Sequence, residues 1–167
     1  MIRAALATRW RVHATPANLN NLVGVPLTIL GAPQNADALV VEAGASVPGE
    51  IAMLRRIIEP TIAVVTNVGY AHVAGFGSLE GVMREKLVLV EGVPLAIVGT
   101  DPPALATEAR RRTRTLVAGS DPAADVHPDR AELDGAGQPR IRWAGHDVTV
   151  PVTGFHQIEN AAIALAV

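Results

Sequence analysis

The hydrophobic positions of this chain fall into short apolar runs, separated by longer segments in which apolar residues recur at helical spacing. The runs ADALVV, TIAVV, PLAIV and RTLV have the β-branched character of strands covered on both faces. The segments PGEIAMLRRII, SLEGVMREKLVLVEG and PALATEARRR lie between or after them and have helical spacing, with Pro48 at a plausible first helical position. This alternation predicts an α/β protein with a mostly parallel sheet flanked by helices.

The pattern changes near residues 124–152, where the apolar runs become short. Gly135, Gly137 and Gly145 mark turns there, which predicts a small antiparallel β section. The last segment, GFHQIENAAIALAV, returns to helical spacing. Because the α/β pattern begins in the middle of a unit and stops in a helix without a cap, we expect residues 1–167 to be a single partial domain of a longer protein.

Composition narrows the possible functions. Hydrophobic residues make up 49% of the chain and aromatic residues 3%, so the core must consist mainly of aliphatic side chains. A formal charge of −2 argues against a nucleic-acid partner, and no apolar run approaches the roughly 18 residues of a membrane span. We therefore expect a cytoplasmic protein. The absence of cysteine excludes thiolate chemistry and leaves histidine and oxygen as metal ligands.

Polar residues follow three successive predicted strands. Glu42 ends the first of these runs, Asn67 ends the next with His72 shortly after it, and Asp101 follows the third. The carboxyl ends of parallel strands meet at one edge of a sheet, where ligands bind. A carboxylate and an imidazole there could hold Mg²⁺. The alternative from spacing alone is that Glu42 caps a neighbouring helix and His72 bonds a loop carbonyl.

Lys86 is the only lysine among 14 lysine and arginine side chains. A lysine amine can lose its proton when desolvated and can be modified covalently, for example by CO₂ to a carbamate, whereas a guanidinium stays charged. A position that requires lysine therefore indicates chemistry of this kind. The alternative, which the sequence leaves open, is a chance lysine on a solvated face of the helix.

Four blocks of the chain, read together, resemble the Mur ligase family of ATP-dependent peptide ligases. They are ATPANLNNLVGVPLTIL, VVEAGASVPGEIAML, TNVGYAHVAGFGSLEGVMREK and GFHQIENAAIALA, in that order and at the family's spacing. The resemblance extends from about His13 to Val167. The NLNN-x-x-GVPLT block is similar to the MurF branch of the family. It implies the central, P-loop NTPase-like domain of a Mur ligase.

The resemblance implies ATP-dependent amide formation through an acyl phosphate. In this branch D-alanyl-D-alanine is added to UDP-MurNAc-tripeptide during peptidoglycan synthesis, with ATP and Mg²⁺ required and a monomer expected. Glu42, His72 and Lys86 match the family's metal-binding positions, and Lys86 matches the lysine that becomes carbamylated and acts in catalysis.

The other site residues implied by the resemblance lie near the two ends of the chain. Asn18, Asn20 and Asn21 would contact the nucleotide-sugar substrate. Asn160, and less directly His156, would approach ATP.

Several positions depart from the family pattern. Val88 replaces a glutamate, Gly99 replaces an asparagine, and Gln157 replaces an asparagine, while EAGAS stands in place of a block often written EMGAN. The family's phosphate-binding loop and its C-terminal domain are expected to lie outside residues 1–167, so we do not expect the isolated chain to ligate. The alternative function is a non-catalytic module, derived from a Mur ligase, that binds a nucleotide sugar or ATP.

Overall fold

The computed structural model describes residues 1–70 and 73–167 of the chain. Strands and helices alternate through the first two thirds of the molecule, as predicted. The strands are β1 (Val12–Ala14), β2 (Ala38–Val40), β3 (Ile62–Val65), β4 (Leu95–Val98), β5 (Thr115–Val117), β6 (Arg130–Leu133), β7 (Pro139–Trp143) and β8 (His146–Thr149). The helices are α1 (Ile2–Leu6), α2 (Gly24–Leu30), α3 (Glu50–Ile58), α4 (Val73–Phe76), α5 (Leu79–Leu87), α6 (Pro103–Arg110) and α7 (His156–Ala166), with a 3₁₀ turn at Val88–Val90.

The parallel strands form two ladders. In the first, β1 pairs with β2 so that His13 lies opposite Leu39. In the second, the strand order is β3-β4-β5, with Val64 opposite Ile97 and Ile97 opposite Leu116. Within the described residues the two ladders are not hydrogen-bonded to each other. The prediction of a mostly parallel sheet is confirmed, but the parallel strands are divided between two ladders.

The antiparallel section is also confirmed. Strands β6, β7 and β8 form a three-stranded meander between residues 130 and 149. Gly137 and Gly145 have φ values of 74° and 81°, a left-handed conformation that glycine adopts without strain. The apolar side of the meander, with Ile141 at its centre, packs against Ala161 of α7. The meander is therefore fixed to the helix that ends the chain.

Each parallel ladder has its own apolar core. Val25, Ile51 and Leu54 form the core beside β1 and β2. A larger cluster under β3, β4 and β5 is built mainly from alanine, valine and leucine, as the composition predicts. Leu89 of the 3₁₀ turn packs against both clusters and so connects the two parts of the molecule. In the described part of the chain, no helix has the length and apolar character needed to cross a membrane.

Two predicted helix boundaries are wrong. Helix α3 begins at Glu50, after Gly49 with φ of 92°, so Pro48 precedes the helix instead of opening it. The helix predicted over SLEGVMREKLVLVEG ends at Leu87 and tightens into the 3₁₀ turn. The last turn of that segment contains two β-branched valines, which lower helix propensity, and leads to Gly92 with φ of 67°.

Candidate functional site

The carboxyl end of the first ladder brings Glu42 and Asn20 together. The backbone N–H of Glu42 donates to Oγ1 of Thr15 at 2.8 Å, and this bond joins the ends of β1 and β2. The side-chain amide of Asn20 donates to Oε1 of Glu42 at 2.8 Å. The carboxylate of Glu42 is exposed and does not cap a helix, so the alternative structural role considered from the sequence is not observed.

The three predicted substrate-binding asparagines have different surroundings. Among their side chains, that of Asn20 is hydrogen-bonded to another predicted site residue, Glu42. Oδ1 of Asn21 accepts the backbone N–H groups of Val23 and Gly24 at 3.0 and 2.9 Å, and Gly24 is the first residue of α2. Asn18 is exposed in the turn that precedes Asn20. The three side chains thus lie on one short segment, and Oδ1 of Asn21 is already hydrogen-bonded to the start of α2.

Lys86 reaches from α5 to the end of β3. Its Nζ donates to the backbone oxygen of Asn67 at 2.8 Å. The side chain is half-buried, and burial lowers the pKa of Lys86 because the charged ammonium is disfavoured away from water. Lys86 is therefore not a solvated residue on an outer helix face, and its amine loses a proton more readily than that of an ordinary lysine.

The ends of β3 and β4 approach each other unusually closely. The N–H of Gly99 donates to the oxygen of Val65 at 3.0 Å, and the N–H of Val68 donates to the oxygen of Asp101 at 3.1 Å. A Cβ atom built on Gly99 would lie 1.9 Å from the backbone oxygen of Thr66. The departure from the family's asparagine at this position is thus explained, because this backbone leaves no room for a side chain.

The loop that follows Glu42 is held by two carboxylates at the start of α3. Glu50, from α3 itself, accepts the N–H groups of Ser46 and Val47 at 2.6 and 3.1 Å, and these bonds lower its pKa. Glu85, from α5, accepts the N–H groups of Gly49 and Ile51 at 2.9 to 3.0 Å. Sequence reasoning missed both residues.

The predicted ATP-binding residues lie together near the start of α7, at its first and fifth residues. The amide of Asn160 donates to Oε1 of Gln157 at 3.1 Å, and Nε2 of Gln157 lies 3.0 Å from Nε2 of His156. Gln157, a departure from the family's asparagine, therefore links the two predicted residues. His156 is exposed, so its ring can reach a ligand without moving the helix.

Glu159 is a further residue that sequence reasoning missed. Its carboxylate accepts the N–H and the hydroxyl of Ser120, with the N–H at 3.1 Å, and the hydroxyl of Thr100 at 3.3 Å. Thr100 and Ser120 follow β4 and β5. Glu159 therefore connects α7 to the carboxyl edge of the second ladder, the edge at which ligands bind in parallel sheets.

Two of the three predicted magnesium ligands lie among the described residues, at the ends of different ladders: Glu42 follows β2, and Lys86 reaches the end of β3. Glu42 supplies an exposed carboxylate, the ligand type that Mg²⁺ prefers. Lys86 supplies a half-buried amine that could become an anionic ligand only through carbamylation. His72 lies outside the described residues. Among the described residues, no group of three or more His, Cys, Asp or Glu side chains is arranged to hold a metal ion.

Comparison with known proteins decides the family. The profile of the Mur ligase middle domain matches residues 1–167. The chain belongs to the Mur ligase family. The UDP-N-acetylmuramoyl-tripeptide--D-alanyl-D-alanine ligase of Bacillus subtilis is 35% identical over 170 residues, which cover 99% of this chain and 37% of that protein. The ligase of the same name from Mycobacterium tuberculosis is 37% identical over 175 residues, covering 100% and 34%.

Solved structures agree with this assignment to the Mur ligases. MurF from Acinetobacter baumannii superposes with a TM-score of 0.87 at 27% identity, covering 99% of this chain and 38% of that one. MurF from Thermotoga maritima in complex with ADP gives 0.82 at 31% identity, covering 99% and 40%. The FPGS of L. casei, at 22% identity and a TM-score of 0.61, shares the fold alone. The chain thus spans 34 to 40% of the length of these four Mur ligases.

Proposed function

We propose that this chain is the central part of a MurF-type ligase that joins D-alanyl-D-alanine to UDP-MurNAc-tripeptide at the expense of ATP. The observation that carries the proposal is the position of Lys86, a half-buried lysine whose Nζ lies 2.8 Å from the backbone oxygen of Asn67 at the end of β3. The match to the Mur ligase middle domain along the whole chain supports it. We further propose that the protein acts as a cytoplasmic monomer.

The proposed reaction has two steps. The terminal carboxylate of the tripeptide attacks the γ-phosphorus of ATP, which forms an acyl phosphate and releases ADP. The amine of D-alanyl-D-alanine then attacks the acyl carbon, an amide bond forms, and phosphate leaves. Phosphoryl transfer of this kind needs positioning and charge neutralisation more than covalent help from the protein.

Glu42, Lys86 and His72 are the proposed metal-binding residues. Mg²⁺, when bound, would neutralise charge on the phosphate oxygens. Asn20, which donates to Glu42 at 2.8 Å, would orient that carboxylate. Lowering of the Lys86 pKa by burial favours the neutral amine, the form that reacts with CO₂ to give a carbamate.

The remaining site residues are assigned to two of the three substrates, the nucleotide sugar and ATP. Asn18, Asn20 and Asn21 would bind the nucleotide sugar from the loop before α2. His156 and Asn160 would bind ATP from the N-terminal part of α7, in the orientation set by Gln157 between them. Exposed His156 is the residue of this pair that a nucleotide can reach directly.

The two-ladder arrangement supports the proposal that further segments complete the domain. Leu39 of β2 and Ile62 of β3 are 48% and 38% exposed, unusually high for apolar side chains on parallel strands. We propose that the phosphate-binding strand and loop of the complete ligase, together with a C-terminal domain that brings the amine substrate, lie outside residues 1–167. The isolated chain is then expected to be inactive.

The test is an ATP-dependent ligation assay on the full-length protein that contains this chain, with UDP-MurNAc-tripeptide and D-alanyl-D-alanine. Wild-type protein should form the amide product and release ADP in equal amounts. Glu42→Gln, which removes the charge of the proposed metal ligand, should lower the rate by about 10- to 100-fold. Glu132→Gln, an exposed glutamate on the antiparallel meander, is the matched control and should retain activity.

The competing function is a non-catalytic module that binds a nucleotide sugar or ATP. Val88 and Gln157, which replace a glutamate and an asparagine of the family pattern, favour this alternative because both lie near proposed site residues. Folded wild-type protein that binds ADP but forms no product with any acceptor would establish this alternative. Amide formation that is lost in Glu42→Gln would reject it.

A further inference from the structure

Two consecutive residues of α5 hold two different loops. Lys86 donates to the oxygen of Asn67, at the end of β3. Glu85, the residue before it, accepts the N–H groups of Gly49 and Ile51, at the end of the loop that begins after Glu42. Because successive residues of a helix point about 100° apart, α5 contacts the two loops simultaneously. These loops belong to different ladders.

Burial of Glu85 is unusual enough to require a reason. It is 9% exposed, and no other charged side chain among the described residues is buried as deeply. A buried carboxylate is costly unless it is fully hydrogen-bonded. Both of its oxygens are 3.0 Å from the N–H of Gly49, and Oε1 also accepts the N–H of Ile51 at 2.9 Å. The N-terminus of α3 stabilises the negative charge further.

Capping of α3 alone does not explain this arrangement. Glu50 already binds the preceding loop from within α3, through the N–H groups of Ser46 and Val47. What Glu85 adds is a connection between helices, since it and its partners are 34 and 36 residues apart in sequence. The connection ties the Glu42 loop to the helix that carries Lys86.

We infer that Glu85 is a positioning residue that fixes the separation between Glu42 and Lys86, and thereby the metal affinity of the site. This inference rests on the proposed function, in which those two side chains hold Mg²⁺. Loss of the Glu85 carboxylate would release the start of α3 from α5. The loop after Glu42 would then take up a range of positions relative to Lys86, and the two ligands would no longer be held at one spacing.

The test measures metal binding separately from catalysis. In the full-length protein with ADP, Mn²⁺ is titrated and the free ion is followed by electron paramagnetic resonance. Glu85→Ala should raise the Kd for Mn²⁺ by about tenfold, the effect expected from loss of a residue that orients a metal ligand. The Mg²⁺ concentration for half-maximal ligation should rise by a similar factor, while KM for D-alanyl-D-alanine stays unchanged.

Two further variants separate positioning from folding. Glu85→Gln keeps the shape of the side chain but turns an NH₂ group toward the N–H of Gly49, so it should weaken Mn²⁺ binding less than Glu85→Ala does. Leu105→Ala removes a fully buried core side chain of α6 and should lower Tm without changing the Kd for Mn²⁺.

Folded Glu85→Ala and Glu85→Gln proteins that bind Mn²⁺ within about twofold of wild type would overturn the inference, because orienting residues normally contribute far more. The same holds if Leu105→Ala weakens binding as much as Glu85→Ala does. A wild-type protein that does not ligate refutes the proposed function instead. The Mn²⁺ titration then still tests the inference about Glu85, because it measures metal binding and not ligation.

Discussion

Replacement of Gly99 by alanine should separate the ends of β3 and β4 at the proposed active edge. The added Cβ would lie 1.9 Å from the oxygen of Thr66, whereas ordinary contacts begin at 3.4 Å, so the two backbones must move apart by about 1.5 Å. That movement would break the bond from the Gly99 N–H to the oxygen of Val65, now 3.0 Å long. The side chain of Ile163 would lie 3.3 Å from the same Cβ, so the backbone cannot relieve the clash by shifting toward Ile163.

The expected cost follows from these contacts. Overpacking of a filled interior costs about 1–3 kcal/mol, and a lost backbone hydrogen bond adds about 0.5–1.5 kcal/mol. We therefore expect the local free energy of opening to fall by about 1.5–4.5 kcal/mol. At about 1.4 kcal/mol for each factor of ten, nearby amides should exchange roughly 12- to 1,600-fold faster under conditions where reclosing is faster than chemical exchange.

The assay is native-state hydrogen exchange of the Val68 amide, which is buried and bonds the oxygen of Asp101 at 3.1 Å. Gly135→Ala is the control, because no atom lies within 4 Å of the Cβ that it adds and its φ is not left-handed. It should leave exchange at Val68 unchanged. Equal Val68 exchange in Gly99→Ala and wild type would refute the claim that the close approach excludes a side chain.

Three other perturbations test separate parts of the structure. Glu159→Ala should lower stability by about 1–3 kcal/mol, because the N–H of Ser120 loses its acceptor, and a Tm equal to that of wild type would contradict this role. Leu54→Ala, at a fully buried position, should cost about 2–5 kcal/mol in urea unfolding, and a cost below about 1 kcal/mol would contradict the packing described for α3. The Arg11 guanidinium holds the pKa of Asp37 at about 2, so Arg11→Ala should raise it toward the usual value near 3.9 in a ¹³C NMR titration. The stabilisation from this pair is present above about pH 3.9 and is lost as pH falls through about 2. The backbone N–H of residue 11 also bonds Asp37 and is kept in the variant, so only an Asp37 pKa equal to that of wild type would exclude the Arg11 guanidinium as a cause.

Most of the fold was predictable from local pattern. The apolar runs correspond to β2 to β5, and the helical segments correspond to α3, α5, α6 and α7. In each segment the spacing of the apolar residues matches the face that the strand or helix buries. Division of the parallel strands into two ladders was not predictable. Strand pairing depends on which segments lie side by side in the folded protein, and the sequence of one strand does not identify the strands that pair with it.

The site was predictable only in part. Lys86, as the only lysine, and Glu42, at the end of a strand, could be identified from local context and from their match to the family pattern. The bond from the first N–H of α2 to Asn21 was predictable too, since an asparagine side chain shortly before a helix often accepts the N–H groups at its start. Glu85 and Glu159 were missed because their partners are 34 to 59 residues distant, and nothing in the local sequence distinguishes a buried carboxylate from a solvated one on a helix.

The central claim is that Lys86 works in catalysis as a modified, metal-supporting lysine, and its most direct test is ligation by a Lys86→Ala variant of the full-length protein. We predict a loss of at least about 100-fold, with part of the rate restored when a small carboxylic acid replaces the missing carbamate. Lys86→Arg, which keeps the charge but cannot form the carbamate, should be equally inactive. Near-wild-type ligation by either folded variant would contradict the account.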